Sequence, residues 1–168
     1  LKEGGTFLLN CPWTEDELET RLTGKIKRDL AKKHINFYII DAAKIAAEIG
    51  LGKRTNNVLQ GAFFALTKVI PMDVAEEDMK RDNYNSYFKK AGQKIVDLNN
   101  KAVDLGISAA VKINIPAEWA TAEDTPAAMP KNATPFVRDI VVPMDRQMGD
   151  KLPVSVFQKY GVLDGTWE

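Results

Sequence analysis

The sequence predicts an α/β domain with a partial parallel sheet, followed by an extended, mostly irregular C-terminal segment. Two short apolar runs, residues 6–11 and 36–40, have the length and composition of buried strands. A helical pattern follows each run, so strand and helix alternate along the N-terminal part of the chain. Such alternation is typical of parallel strands, because the intervening helix returns the chain to the edge where the previous strand began.

Local signals mark the first two helices. Thr14 can cap a backbone N–H, and Glu17 can reach back to the cap, which together make a capping-box pattern. Leucine and isoleucine recur every fourth residue from 18 to 30, and Thr23-Gly24 is expected to divide this stretch into two helices, the second ending near residues 33–34. Both helices therefore have an apolar face that can pack on the sheet.

The next two helices follow the second strand. Asp41 is placed as the N-cap of a helix over residues 42–49, which Gly50 should end. Residues 58–66 are apolar on almost every side, which indicates a helix buried between other elements. The segment between them, residues 50–57, is therefore a loop that leads into a helix N-terminus.

Two longer helices are predicted further along. Asp73 with Glu76 gives a second capping pattern, and residues 73–90 fit a surface helix that short polar residues should weaken around residues 82–85. Apolar residues at helical spacing mark the next helix, namely Ile95, Leu98, Ala102 and Leu105. The compact domain is expected to end near Ile115.

The composition changes after Pro116. Residues 117–135 are rich in Ala, Thr and Pro, which predicts an extended connector. Residues 136–168 begin with an apolar run over 136–142, for which helix and strand both stay open, and then become punctuated by glycine. This tail can bury little surface alone and is expected to lie on something else.

Length and composition exclude several classes of protein. The 168 residues suit one domain with a tail, and 23 basic side chains balance 23 acidic ones, which argues against a general nucleic-acid or membrane-surface binder. One cysteine, Cys11, and one histidine, His34, are too few for a disulfide framework or a tetrahedral zinc site. The sequence has no apolar stretch of membrane-helix length, and we expect a cytoplasmic piece of a larger chain.

The most specific local candidate for a functional site is the loop at residues 50–57. Gly50 and Gly52 permit close backbone approach, Lys53 and Arg54 attract phosphate, and the N–H groups of the following helix add a favourable dipole. The spacing neither matches a P-loop nor completes a G-x-G-x-x-G pattern. Two interpretations stay open: a pyrophosphate cradle, or a helix-ending glycine followed by a solvated turn.

Other chemistry-bearing residues have structural interpretations. A basic run with helical spacing is expected to be a solvated helix face; it comprises Lys25, Lys27, Arg28, Lys32 and Lys33. His34 is expected on the surface at a helix end, and Cys11 as a small buried hydrophobe. The three tryptophans are expected to anchor neighbouring surface rather than stack on a ligand; they are Trp13, Trp119 and Trp167.

Several stretches together carry a resemblance to a known family. They are LKEGGTFLLNCPW at 1–13, GKIKR at 24–28, FYIIDA at 37–42, GLGKRTN at 50–56, AFF at 62–64 and GDKLPVS at 149–155. These stretches follow one another in the same order as in the family over nearly the whole chain. The sequence therefore resembles the pyruvate:ferredoxin (flavodoxin) oxidoreductases, which are large single-chain 2-oxoacid oxidoreductases. The resemblance implies that both ends of the sequence lie inside a longer chain.

The resemblance also implies a domain order. Residues 1–116 would be the later half of a gamma-type α/β domain, a partial parallel-sheet αβα sandwich. Residues 117–135 would be the connector, and residues 136–168 the start of a linker domain that precedes the family's Glu-Lys-Arg motif.

The implied activity is oxidative decarboxylation of pyruvate with coenzyme A to acetyl-CoA and carbon dioxide, with electrons passed to ferredoxin or flavodoxin. Thiamine diphosphate, Mg²⁺ and [4Fe–4S] clusters would bind elsewhere in the parent chain, so neither catalytic residues nor metal ligands are expected here. The implied partners are the other domains of the same chain, a homodimer partner and the electron acceptor.

In this family the gamma-type domain helps to hold coenzyme A, which gives the loop a ligand. Gly52, Arg54 and Asn56 match the family's G-L-G-x-R-x-N run and are assigned to coenzyme A on that basis. Lys53 is added for its charge and Gln60 for polar contacts. The alternative is a purely structural domain that docks other domains and supports the dimer.

Overall fold

The structure, a computed structural model, describes residues 1–124, 129 and 131–161. It divides the chain into two compact units, Leu1–Thr125 and Pro126–Glu168. The first unit holds the sheet and the candidate loop.

A three-stranded sheet forms the centre of the first unit. β1 (Thr6–Asn10) pairs in parallel with β2 (Asn36–Ile40), and Thr6 lies opposite Asn36. β3 (Val111–Lys112) joins the other edge of β2 in the antiparallel direction, so the order is β1-β2-β3. The predicted α/β class and its parallel strand pair are confirmed. The sequence does not predict β3, because two exposed residues are too few to show a period.

Six α-helices belong to this unit: α1 (Glu15–Arg21), α2 (Gly24–Lys32), α3 (Ala42–Glu48), α4 (Asn56–Thr67), α5 (Met72–Ala91) and α6 (Gln93–Ala109). Side-chain alternation along the strands separates two clusters of buried residues. On one face, Phe37 of β2 lies with Leu18 of α1 and Leu30 of α2. On the other face, Ile40 lies with Val58 of α4. The layers are therefore helix, sheet and helix, as the αβα prediction requires.

The helices α1 and α3 carry their predicted caps, and α2 begins with a cap that is not among the sequence predictions. Glu17 Oε2 accepts a hydrogen bond from the Thr14 backbone N–H at 2.9 Å, which is the reach-back contact of a capping box. Thr23 caps α2 after the predicted break, and its hydroxyl accepts from the Ile26 N–H. Asp41 Oδ1 accepts from the Lys44 N–H at 2.9 Å and so begins α3. Each cap spans only three residues, so local sequence is enough to find it.

Two glycines bring α4 and α6 into backbone contact. A Cβ on Gly106 would overlap the carbonyl oxygen of Val58, and a Cβ on Gly61 would overlap the carbonyl oxygen of Val103. Only glycine permits so close an approach. The first turns of α4 are therefore held directly against α6.

Two details of the helical predictions are wrong. α5 begins with Pro71 as its N-cap, so Asp73 lies inside the first turn instead of capping it. Nor is α5 weakened around residues 82–85, since it runs unbroken from Met72 to Ala91. The reason is tertiary: Asn83 is buried, and its side-chain amide bonds to α4 and α6 instead of competing with its own backbone.

Residues 117–124 pack against α2 and differ from the predicted extended connector. A 3₁₀ helix, Ala117–Thr121, places Trp119 in the core, where it is 3% exposed. Burial of this large side chain decides the local structure against the Ala, Thr and Pro composition. Further along, the Asp124 carboxylate accepts a hydrogen bond from Arg28 of α2 at 2.7 Å.

The second unit contains more helix than the predicted irregular chain. The apolar run that the sequence leaves open between helix and strand is helical, because a π-helical turn, Val137–Val141, continues into α7 (Val142–Asp145). A short α8 (Val154–Gln158) follows. Hydrogen bonds to Asp139 from the hydroxyl of Tyr160 and from two neighbouring cations lower the pKa of its carboxyl well below the usual range.

Candidate functional site

The loop at residues 50–57 begins with a helix-ending motif. Gly50 has a φ of 87°, in the left-handed region, and its N–H donates to the Ala47 carbonyl oxygen at 3.1 Å. The Leu51 N–H donates to the Ala46 carbonyl oxygen at 2.8 Å, and the Leu51 side chain is buried. This is the Schellman arrangement. Gly50 and Leu51 therefore serve to end α3, as the structural interpretation of the loop predicts.

The middle of the loop presents two exposed cations. Gly52 has a φ of 61°, and the space where a Cβ would stand is open, so backbone conformation alone favours glycine here. Lys53 and Arg54 are exposed, and no described residue forms a hydrogen bond or ion pair with either side chain. The Arg54 N–H donates to the Leu51 carbonyl oxygen at 3.3 Å. Two adjacent positive charges are thus available to an anion.

These cations directly precede the N-terminus of α4. Thr55 is the N-cap, but its side chain makes no capping hydrogen bond, and the first turn contains no acidic residue. The N–H groups of that turn therefore keep their capacity to donate to an acceptor, and the helix dipole adds to the positive field. Asn56 and Gln60 are exposed and lie four residues apart, on one face of the helix.

A buried cluster of asparagines lies behind this first turn. Asn57 Nδ2 donates to Asn83 Oδ1 of α5 at 3.0 Å and to Asn99 Oδ1 of α6 at 2.7 Å. Asn83 Nδ2 in turn donates to Asn100 Oδ1 at 3.1 Å. Asn83 and Asn99 are 4% and 3% exposed. We call these four residues the amide ladder.

The amide ladder is not among the sequence predictions, although the sequence carries a signal for it. Asn83 continues a buried repeat of every fourth residue on α5, after Ala75 and Met79. Asn99 follows Val96 on the buried face of α6. A single asparagine at a core-facing helical position indicates a buried polar contact. Its partner, however, cannot be read from the helix that carries it.

Two members of the basic run of α2, Lys27 and Arg28, have partners and depart from the solvated face that the sequence predicts, whereas Lys25 and Lys32 are exposed as predicted. Lys27 is 7% exposed; its ammonium group donates to the Glu19 carboxylate and lies 5.6 Å from the centre of the Trp119 ring. The Trp119 indole N–H donates to the same carboxylate. These hydrogen bonds from Lys27 and Trp119 lower the pKa of Glu19, and the hydrogen bond from Arg28 lowers the pKa of Asp124. We call Glu19, Lys27, Arg28, Trp119 and Asp124 the α2 staple.

The other single-residue candidates match their structural interpretations. Cys11 is buried, and the His34 side chain is 82% exposed after the end of α2. Trp13 lies 5.9 Å from the guanidinium carbon of Arg21. Trp167 lies outside the described residues.

Within residues 1–124, 129 and 131–161, no three His, Cys, Asp or Glu side chains are grouped so as to hold a metal ion. The helices of the same residues include none that combines the length and apolarity needed to cross a membrane. Surface clefts of about 520 and 570 Å³ are lined by residues between 30 and 120 and between 65 and 72, respectively, and the loop lines neither.

Two protein families match the chain. The family described as pyruvate ferredoxin/flavodoxin oxidoreductase matches residues 1–109, which is more than half of the sequence, and the EKR domain, of unknown function, matches residues 122–168. Among solved structures, pyruvate oxidoreductase subunit PORC of Thermotoga maritima aligns with a TM-score of 0.48 and 18% identity, covering 67% of this chain and 54% of that one.

Longer relatives align with almost every residue of the chain. It is 48% identical over 167 residues to pyruvate-flavodoxin oxidoreductase of Enterobacter agglomerans and 44% identical over 163 residues to pyruvate:ferredoxin oxidoreductase of Moorella thermoacetica. It is 38% identical over 190 residues to pyruvate dehydrogenase [NADP(+)] of Cryptosporidium parvum. These alignments cover 97 to 99% of this chain but only 10 to 14% of the relatives.

Proposed function

The chain belongs to the pyruvate ferredoxin/flavodoxin oxidoreductase family, and we propose that within the intact enzyme residues 52–60 help to bind coenzyme A. The intact enzyme would convert pyruvate and coenzyme A to acetyl-CoA and carbon dioxide, releasing one proton and passing two electrons to ferredoxin or flavodoxin. This reaction is proposed from the relatives' names and from the family resemblance.

One observation carries the proposed site: two exposed cations, for which the described residues offer no side-chain partner, stand directly before a helix N-terminus without a side-chain cap. Coenzyme A is an anion at neutral pH because of its pyrophosphate and its ribose phosphate. Arg54 can form a paired hydrogen bond to phosphate oxygens, while Lys53 contributes a point charge. Removing either interaction should weaken binding without altering the reacting atoms.

The neighbouring residues supply geometry and polar contacts. Gly52 lets the loop turn in the left-handed region, so that a phosphate can approach the backbone closely. Asn56 and Gln60 present amides on the exposed face of α4, where they can donate to phosphate or adenine acceptors. The site thus has the groups that bind and orient a polyanion.

The family resemblance assigns the oxidation to residues outside this chain. With one cysteine, the sequence cannot supply the four thiolates of a [4Fe–4S] cluster. Thiamine diphosphate, Mg²⁺ and the clusters are assigned to other domains of the parent enzyme on the same resemblance.

The Michaelis constant of the full-length enzyme for coenzyme A tests the proposal. Arg54→Ala should raise this constant by about 10-fold or more, which is the usual effect of removing one charged hydrogen bond, while kcat at saturating coenzyme A changes little. Arg81→Ala is the matched control, because Arg81 is an exposed arginine on α5 that pairs with Asp78. An unchanged constant in Arg54→Ala would refute a ligand role for the loop.

A second candidate, domain docking, is favoured by an apolar turn. Val69 and Ile70, between α4 and α5, are 63% and 36% exposed, and Phe63 on α4 is 49% exposed, although the sequence predicts a buried α4. Exposed apolar groups this close together are typical of surfaces that another domain covers. If docking is the only function, Val69→Ser with Ile70→Ser should impair assembly of the full-length enzyme, and Arg54→Ala should leave the Michaelis constant for coenzyme A unchanged.

A further inference from the structure

We propose that the amide ladder is a positioning device for the candidate site: the side chains of Asn83 and Asn99 hold Asn57, and through it they orient the first turn of α4 toward the ligand. This inference rests on the proposed function of residues 52–60. Asn83 and Asn99 are positioning residues and touch no substrate, because both are buried between helices.

The hydrogen bonds of the amide ladder fix the orientation of its side chains. One amide nitrogen, Nδ2 of Asn57, donates to two oxygens that belong to different helices, α5 and α6. Asn99 Nδ2 is itself fixed by the Ile95 carbonyl oxygen at 2.8 Å, and Asn83 Nδ2 by Asn100. A hydrogen-bonded amide has one favourable orientation, whereas an apolar side chain of equal size packs in several. The ladder therefore fixes the rotation of α4 about its axis as well as its distance from α5 and α6.

The loop needs such a fixed point at its C-terminal end. At its N-terminal end it is held by the buried Leu51 and the Schellman hydrogen bonds. Residues 52–56 then run on the surface, and the Thr55 side chain does not cap α4. Asn57 is the next residue with side-chain hydrogen bonds into the helical layer. The position of Arg54 and the direction of the first-turn N–H groups therefore depend on Asn57, together with the contact of Val58 with Gly106 of α6.

The test is steady-state kinetics of the full-length enzyme with coenzyme A as the varied substrate. Asn83→Leu keeps the side-chain volume but removes the acceptor for Asn57, and it should raise the Michaelis constant for coenzyme A by about 5-fold or more while kcat stays within about 2-fold. Asn83→Asp keeps an oxygen facing Asn57 but loses the donor to Asn100, so it should restore part of the affinity. Asn85→Leu, at an exposed position on the same helix, is the matched control and should have no effect.

Asn57→Ala keeps the proposal falsifiable if Asn83→Leu does not fold. It removes the donor while leaving the Asn83 to Asn100 bond in place, and it should raise the same Michaelis constant. Arg54→Ala is measured in parallel. Combining Asn83→Leu with Arg54→Ala should raise the constant by less than the product of the two single effects, since both act on the same phosphate contact.

The possible outcomes distinguish a failure of the positioning role from a failure of the proposed function. If Arg54→Ala raises the Michaelis constant but Asn83→Leu and Asn57→Ala do not, the positioning role is wrong and the proposed function stands. A fall in kcat or in folded enzyme, with an unchanged Michaelis constant, would show a merely structural ladder and would also overturn the inference. If Arg54→Ala has no effect either, the proposed function itself fails.

Discussion

Two adjacent pairs of cations differ in their surroundings. One pair, Lys27 and Arg28, lies on α2, and the other, Lys53 and Arg54, precedes α4; each has few acidic neighbours in sequence. In the structure, the first pair is held by Glu19, Trp119 and Asp124, and Lys27 is almost fully buried. The second pair is exposed, and the described part of the chain offers it no partner. One pair therefore joins two segments of the fold, and the other remains accessible to the proposed ligand.

The role of a cation pair is therefore decided by partners that are distant in sequence. Asp124 lies 96 residues after Arg28, and Trp119 lies 100 residues after Glu19. A carboxylate at hydrogen-bond distance neutralises the charge that a ligand would otherwise meet. The comparison predicts that changes in the α2 staple affect local stability, whereas changes in the loop affect coenzyme A binding.

The largest expected effect on stability comes from Gly24→Ala in the staple region. The new Cβ would overlap the backbone of Glu123, so residues 117–124 must move away from α2. We expect the free energy of local opening of α2 to fall by about 1–3 kcal/mol, as in other overpacked sites. Hydrogen–deuterium exchange of the full-length enzyme, followed by mass spectrometry, measures it.

Gly149→Ala is the control for that measurement, because the nearest atom to its Cβ is a flexible Met144 carbon at 3.6 Å. Exchange in α2 should be unchanged by the control. Equal exchange in Gly24→Ala and the natural enzyme would contradict the close packing of residues 117–124 on α2.

Lys27→Met should have a smaller effect of the same kind. The substitution keeps the apolar stem but removes the hydrogen bonds to Glu19, at a cost of about 1 kcal/mol in the opening free energy of α2. Lys32→Met, at an exposed position on the same helix, is the control. A rise in the Michaelis constant for coenzyme A in Lys27→Met would contradict the separate roles of the two cation pairs, in which the first stabilises the fold and the second binds the ligand.

Acidification should weaken the staple gradually. The pKa values of Glu19 and Asp124 are lowered by their partners, so their contribution to stability is complete above the ordinary values of 4.5 and 3.8. It is lost as the pH falls through the lowered values, where the folded carboxylates become protonated. The protection factors of the α2 amides, which correct exchange for its own pH dependence, should therefore fall below about pH 4.5, and Lys27→Met should reduce the part of this fall that Glu19 causes.

Local chemistry made much of the fold predictable from sequence. The strands β1 and β2, the caps at Thr14 and Asp41 and the helix break at residues 23–24 follow from short local runs. β3 and the packing of Trp119 could not be predicted, because their structure depends on strands and helices far along the chain. Burial of one side chain outweighed the local composition in the second case.

The candidate site also has one part that the sequence predicts and one part that it does not. The loop residues Gly52, Lys53 and Arg54 are contiguous, so sequence alone brings them together. The amide ladder joins three helices through Asn57, Asn83 and Asn99, and each residue looks like a mild helix breaker in isolation. The tertiary hydrogen bonds that fix these residues cannot be read from the sequence of any one helix.

The measurement that tests the central claim most directly is equilibrium binding of coenzyme A to the full-length enzyme, comparing Arg54→Ala with Arg28→Ala by calorimetry. We predict that Arg54→Ala weakens binding by about 10-fold, while Arg28→Ala, whose guanidinium is already held by Asp124, binds as the natural enzyme does. Unchanged binding in Arg54→Ala, or an equal loss in Arg28→Ala, would contradict the assignment of the loop to coenzyme A.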